Sequence, residues 1–166
     1  MALNLQKDSA EIYTYLVSRA AAYTPAADHG PGGVGPIKMI YAGYEFDQQG
    51  WFALIFDRRP AAAHDGEWTV YLEGNMLDRP VWEAARRRNQ GRPMRVRWED
   101  GSVTELRPKT PFGPLLGKML VGVLQRAKRE GVFEGLPRAH ELELGLEEFN
   151  GSLGWSSLTG YGGGAK

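Results

Sequence analysis

The sequence predicts an α+β domain, with a mainly antiparallel sheet of about five to seven strands. Two principal helices and one short helix pack on that sheet. Three observations point there. Strand-like alternation comes as a block of three segments, then as a pair joined by Asp100-Gly101, then as the series Leu142, Leu144 and Leu146. Residues 4–23 and 110–130 carry apolar side chains at helical spacing. No strand–helix–strand unit recurs, which argues against a doubly wound parallel sheet.

Each element follows from local chemistry. In residues 4–23, Leu5, Ile12, Leu16 and Tyr23 fall on one helical face with Ala20 beside them, while Lys7, Asp8, Glu11 and Arg19 lie elsewhere. Pro25 stops that helix, and the Gly/Pro-rich segment 26–36 is a loop. Segments 37–46, 51–56 and 67–73 read as three successive strands of an antiparallel meander. The near-continuous apolar run 51–56 suits a central strand. Asp78 and Pro80 open a short helix that ends at Asn89, ahead of Gly91, with Val81, Trp82 and Ala85 as its apolar contacts. Segments 94–98 and 103–107 form a hairpin around Asp100-Gly101.

Thr110 is the expected cap of the second long helix, and Pro111 its first residue. Leu115, Leu116, Met119, Leu120, Val123, Leu124 and Ala127 form one broad stripe, expected to be buried with Trp51, Leu54 and Phe56. Gly131 stops the helix in a left-handed conformation, and Val132 and Phe133 then fold back onto the core. Gly117 and Gly122 each cost about 1 kcal/mol relative to alanine. Their expected use is close approach to a sheet, although Gly122 can also be simply tolerated. In 140–148 the leucines face inward and Glu141, Glu143 and Glu147 outward, with Gly145 marking an edge or a bulge. Asn150-Gly151 turns the chain into a last strand at 152–156. Residues 1–158 are expected to form one domain and residues 159–166 a loose Gly-rich tail.

Composition narrows the function. With 42% apolar and 24% charged residues, the 166-residue chain has the makings of an ordinary folded core. It has no cysteine, which excludes disulfides, thiolate-bound zinc, iron–sulfur clusters and thiol nucleophiles. Twenty basic and twenty acidic residues leave no net field to steer it towards nucleic acid or an anionic membrane. The sequence shows no secretion signal and no membrane-length apolar run, so a cytoplasmic location is the default.

Motif by motif, the chemistry is sparse. Residues 30–35 fit G-x-G-x-x-G, but a dinucleotide site needs a strand before the motif and a helix after it. Here the order is reversed, so the segment reads as a connector. His64-Asp65-Gly66-Glu67 offers ligand atoms without a second histidine at helical spacing, and a turn explains it better; His29 and His140 stand alone. Glu147 and Glu148 point to opposite faces of a strand, a poor arrangement for paired acid–base work. Asp57-Arg58-Arg59 reads as a strand-end pair ordering the next loop. No catalytic residue, cofactor site or metal site is assigned.

Charge placement is more informative than its total. Residues 79–109 hold nine basic and four acidic side chains, about +5 by formal counting. Residues 130–150 hold six acids and Arg138, about −5. The two blocks are either solvated faces that attract each other or a surface for a charged partner. Arginine and tryptophan together favour protein interfaces. The candidate partner-binding residues are therefore Trp82, Arg86, Arg87, Arg88, Arg95 and Arg97, with Trp98 at the far end of the arginine run. The balanced total charge disfavours nucleic acid.

Several stretches occur in combination: Gly50-Trp51 opening the run to Asp57; Asp65-Gly66-Glu67-Trp68; Pro80-x-Trp82; the helix from Gly113 to Gly131-Val132-Phe133; Leu136-Pro137; and Gly154-Trp155. Together they resemble small bacterial immunity proteins encoded beside polymorphic toxins. The resemblance implies a non-enzymatic protein that binds and neutralises a toxin, and it supplies no catalytic residue. An adaptor, chaperone or secretion-associated protein is the alternative, followed by a small enzyme or a nucleic-acid-binding protein.

Overall fold

The computed structural model describes residues 2–23, 37–45, 51–57, 69–74, 79–148 and 156–157. Among these the chain is α+β, with three helices and two sheets. In order they are β1 (Ala2–Asn4), α1 (Leu5–Ala22), β2 (Ile37–Glu45), β3 (Trp51–Asp57), β4 (Thr69–Gly74), α2 (Arg79–Asn89), β5 (Met94–Arg97), β6 (Val103–Leu106), α3 (Gly113–Arg129), β7 (Arg138–Glu148) and β8 (Ser156–Ser157).

The expected single sheet is corrected to two. The smaller has the order β1-β5-β6 and the larger β4-β3-β2-β7-β8. The meander β2–β3–β4 is antiparallel as expected, and so is the β5–β6 pair; β8 pairs antiparallel with β7 at Ser156–Ser157, while residues 152–155 of the expected last strand lie outside the described residues. Each sheet also contains a parallel pair. Leu3 in β1 registers with Val96 in β5, and Ile40 in β2 registers with Leu144 in β7. A parallel pair needs a long crossover, and here the intervening helices supply it.

Local signals explain most of the elements. Asn4 caps α1 by accepting a hydrogen bond from the Gln6 amide at 3.0 Å. Leu5, Ile12, Leu16 and Ala20 are buried along one face of that helix. In the β5–β6 turn, the Gly101 amide donates to the Trp98 carbonyl at 3.0 Å, and Gly101 adopts φ 82°, which suits a residue without Cβ. At the end of α3, Gly131 has φ 72°. Its amide donates to the Lys128 carbonyl, and the Val132 amide donates to that of Ala127, the paired bonds of a Schellman stop. Phe133 then returns to the core as expected.

The start of α3 departs from expectation. Thr110 does not cap it, and Pro111 is not its first residue. The helix begins at Gly113, with Phe112 at the cap position and Pro114 in the first turn. Thr110 is committed elsewhere: its amide donates to Asn89 Oδ1 at 2.8 Å, and its hydroxyl to the Arg107 carbonyl at 2.8 Å.

The core joins both sheets. α1 packs against α3 and β5, while α3 packs against β2 and β7. Leu3, Val96, Ile40, Leu144 and the α3 stripe belong to one buried cluster. Gly117 is where α3 meets the larger sheet. A Cβ there would lie 2.6 Å from Tyr44 Oη and 3.2 Å from Leu146 Cδ2, so only glycine admits this approach. Gly122 meets nothing within 4 Å, so it is the tolerated glycine of the two. Gly145 is buried, because β7 lies inside the sheet between β2 and β8; the expectation of an edge there is overturned. The irregularity in this strand pair falls instead between Ile37 and Met39. The expected burial of the Trp51, Leu54 and Phe56 side chains lies outside the described side chains, and residues 159–166 lie outside the described residues.

Candidate functional site

The candidate surface is built on α2 and the smaller sheet. One side chain expected on that surface is not there. Trp82 is only 1% exposed and belongs to the core. Its indole N–H donates to Asp8 Oδ2 at 2.6 Å, and its ring meets Phe112 edge-on at 6.2 Å between centroids. Trp82, expected both as an apolar contact of this helix and as a candidate partner-binding residue, is the former and is corrected as the latter: it anchors α2 to α1. A helix turns about 100° per residue, so with Trp82 pointing inward Arg86 is half-buried one turn later, while Arg87 and Arg88 are exposed.

Asn89 then fixes the end of α2. It is buried; its side-chain amide donates to the carbonyls of Arg107 at 2.9 Å and Arg92 at 3.3 Å. Its Oδ1 accepts from Thr110, and its own carbonyl accepts from the Lys109 amide at 2.7 Å. This ties the helix end to the chain leaving β6, where Lys109 is held at φ 63°. In β5, Met94 and Val96 are buried and Arg95 and Arg97 exposed. Arg95 registers with Ala2 and Glu105, and Arg97 with Asn4 and the exposed Val103.

The structure thus carries five of the six candidate residues on α2 and β5, and removes Trp82. Arg87 lies 3.4 Å from Glu83, one turn away. Among the described residues, Arg86, Arg88, Arg95 and Arg97 have no carboxylate within 4.0 Å. Nor does any described ion pair join the basic block 79–109 directly to the acidic strand β7.

A second feature was not legible in the sequence. A cleft of about 460 Å³ lies between the β5–β6 turn, α1 and α3, with Gly122 among its lining residues. Arg126 crosses it. Its Nη1 donates to Glu99 at 2.7 Å and its Nε to Glu130 at 2.9 Å, while its guanidinium sits 3.8 Å from the Tyr13 ring centroid. The Tyr13 hydroxyl donates to Glu130. Lys118 lies over the Trp98 ring at 4.1 Å, and the Trp98 indole N–H donates to Thr104 Oγ1 at 2.8 Å.

The charge states of this cluster are held in place. Hydrogen bonds from Tyr13 and then Arg126 lower the Glu130 pKa, and the bond to Glu130 raises that of Tyr13. Hydrogen bonds from Ser102 lower Asp100. Glu130 and Arg126 are thus held ionised and Tyr13 protonated near neutral pH. That suits a clasp better than proton transfer, which works best with a pKa near the working pH. The i, i+4 spacing of Arg126 and Glu130 was readable beforehand; the approach of Tyr13 and Glu99 was not.

Among the described residues, no group of three or more His, Asp or Glu could hold a metal, and no helix is long and apolar enough to cross a membrane. His140 is exposed. The 30–35 motif, His29 and the His64–Glu67 segment lie outside the described residues. Comparison with known protein families, curated proteins and solved structures finds no match.

Proposed function

We propose that the protein is a non-enzymatic, cytoplasmic protein-binding domain, and specifically an immunity protein that neutralises a bacterial toxin through an acidic surface of that toxin. One observation carries the binding reading: Arg86, Arg88, Arg95 and Arg97 have no carboxylate within 4.0 Å among the described residues, although the chain holds as many acids as bases. Exposed ion pairs add only about 0–1 kcal/mol, so stability gives little reason for such a cluster. A complementary acidic partner does, because opposite charge speeds encounter and excludes wrong partners. The toxin assignment rests on the sequence resemblance; an adaptor, chaperone or secretion-associated protein shares the same binding chemistry.

The test is co-expression with the toxic domain encoded in the adjacent reading frame. The wild-type chain is expected to restore growth, and Arg86→Glu with Arg88→Glu to lose protection while melting unchanged. Full protection by that double variant would remove the arginines from the interface. Failure of the wild type to protect would remove the toxin.

A further inference from the structure

We propose that the groove between β1 and α2 receives an apolar side chain from an extended, acidic segment of the partner protein. This rests on the binding reading above and names what the arginine surface recognises. The groove has a volume of about 200 Å³ and an almost wholly apolar lining. Buried Leu3 and Met94 contribute to it from β1 and β5. Val81, Ala84 and Ala85 contribute from α2, and Val81 is 40% exposed. An apolar cavity of about 150 Å³ accommodates benzene, so this groove suits one leucine or phenylalanine side chain.

Charge complementarity selects the surrounding segment. Among the described residues, Arg88 is the one charged side chain in the lining, and no carboxylate lies within 4.0 Å of it. Ala2, also in the lining, registers with Arg95 on the neighbouring strand. A side chain entering the groove therefore brings its flanking residues towards arginines on two sides. Carboxylates in those flanks would pair with them, and lysines would be repelled. Among the described residues β1 is hydrogen-bonded to a strand on one side only, which leaves its outer edge to an extended segment. An apolar anchor ringed by charged contacts is the arrangement of an interface hot spot.

The probe is a fluorescent hexapeptide, Glu-Asp-Phe-Leu-Asp-Glu, titrated by anisotropy with the full chain at low salt. Two companions are Glu-Asp-Ala-Ala-Asp-Glu, lacking the anchor, and Lys-Lys-Phe-Leu-Lys-Lys, with the charge reversed. The acidic apolar peptide is expected to bind at least about tenfold more tightly than either companion. Ala84→Phe fills the groove from an exposed position and is expected to weaken that peptide about tenfold while melting as wild type; Ala84→Leu, a smaller change, repeats the measurement should the first variant melt early. Equal binding of the alanine peptide, or binding unaffected by both variants, overturns the groove and leaves the arginine reading standing. Equal or tighter binding of the lysine peptide, or no binding of the acidic apolar peptide, overturns the groove proposal and counts against the arginine reading as well.

Discussion

Arg126 and the arginines of α2 and β5 are the same residue in opposite circumstances. The Arg126 side chain is 32% exposed, lies across an aromatic ring and binds two carboxylates within 3 Å. Arg88, Arg95 and Arg97 are exposed and have no carboxylate within 4.0 Å among the described residues, although Glu105 stands opposite Arg95 on β6. The first joins α1, α3 and the β5–β6 turn through its partners. Among the described residues the others make no ion pair. Arginine density in the sequence therefore does not mark a function by itself; the distance to the nearest acid separates the two kinds.

That contrast can be broken or sharpened by measurement. A core reference comes first. Leu120 is 1% exposed in the α3 stripe, and Leu120→Ala is expected to cost about 2–5 kcal/mol in denaturant melts through lost transfer energy and a residual cavity. A loss below about 1 kcal/mol would show that the stripe is not closely packed.

Next is the buried tie that displaced Trp82 from the surface. Trp82→Phe keeps most of the ring and removes the N–H that Asp8 accepts. The expected loss is about 1–3 kcal/mol, the range for leaving a buried polar group without its partner. Smaller again is Arg126→Met. The contact with Tyr13 is worth about 0.5–1 kcal/mol at an exposed site. A change as large as that of Leu120→Ala would mean that the clasp, not the stripe, governs stability.

The clasp also has a pH signature. The Glu130 pKa is lowered from its ordinary 4.5, so its contribution is present above that value and is lost as pH falls through the lower folded value. The Tyr13 pKa is raised from 10.0, so its contribution is present below 10.0 and is lost as pH rises through the higher folded value. Glu130→Gln should flatten the acid side of a stability–pH curve relative to wild type. The smallest effect on stability is expected for Arg86→Glu with Arg88→Glu, within about 0.5 kcal/mol. Its consequence belongs in the association rate, and a melting change comparable to Trp82→Phe would break the comparison.

Much of the fold was legible because it is local. The meander, the Asp100-Gly101 hairpin, the α3 stripe and the Gly131 stop all follow from spacing and backbone preference within a dozen residues. What escaped was non-local. β1 is three residues long, too short for alternation to register, and its pairing with β5 leaves no trace in either segment. The same holds for β2 beside β7, which is why one sheet was expected and Gly145 was read as marking an edge or a bulge. Pro111 and Pro114 offer equivalent helix starts, and the choice between them follows from Asn89 holding Thr110. Of the candidate site, the exposed arginines were readable from alternation and helical turn, and Trp82 as an apolar contact of its helix, whereas its bond to Asp8 on another helix, which takes it out of the surface, was not.

The pairing of Leu3 with Val96 sets an order for synthesis on the ribosome. Translation proceeds at roughly 5–20 residues per second, so β1 waits several seconds at least before its partner exists. α1 can form early, but Ile12 and Leu16 have no α3 to cover them until the chain has passed residue 113. The nascent chain therefore carries an apolar helical face and an unpaired first strand through most of its synthesis. Such separation of partners gives high contact order, with folding expected on the slow side, in milliseconds to seconds after release. A chaperone that shields amphipathic helices would find such a face on residues 5–22.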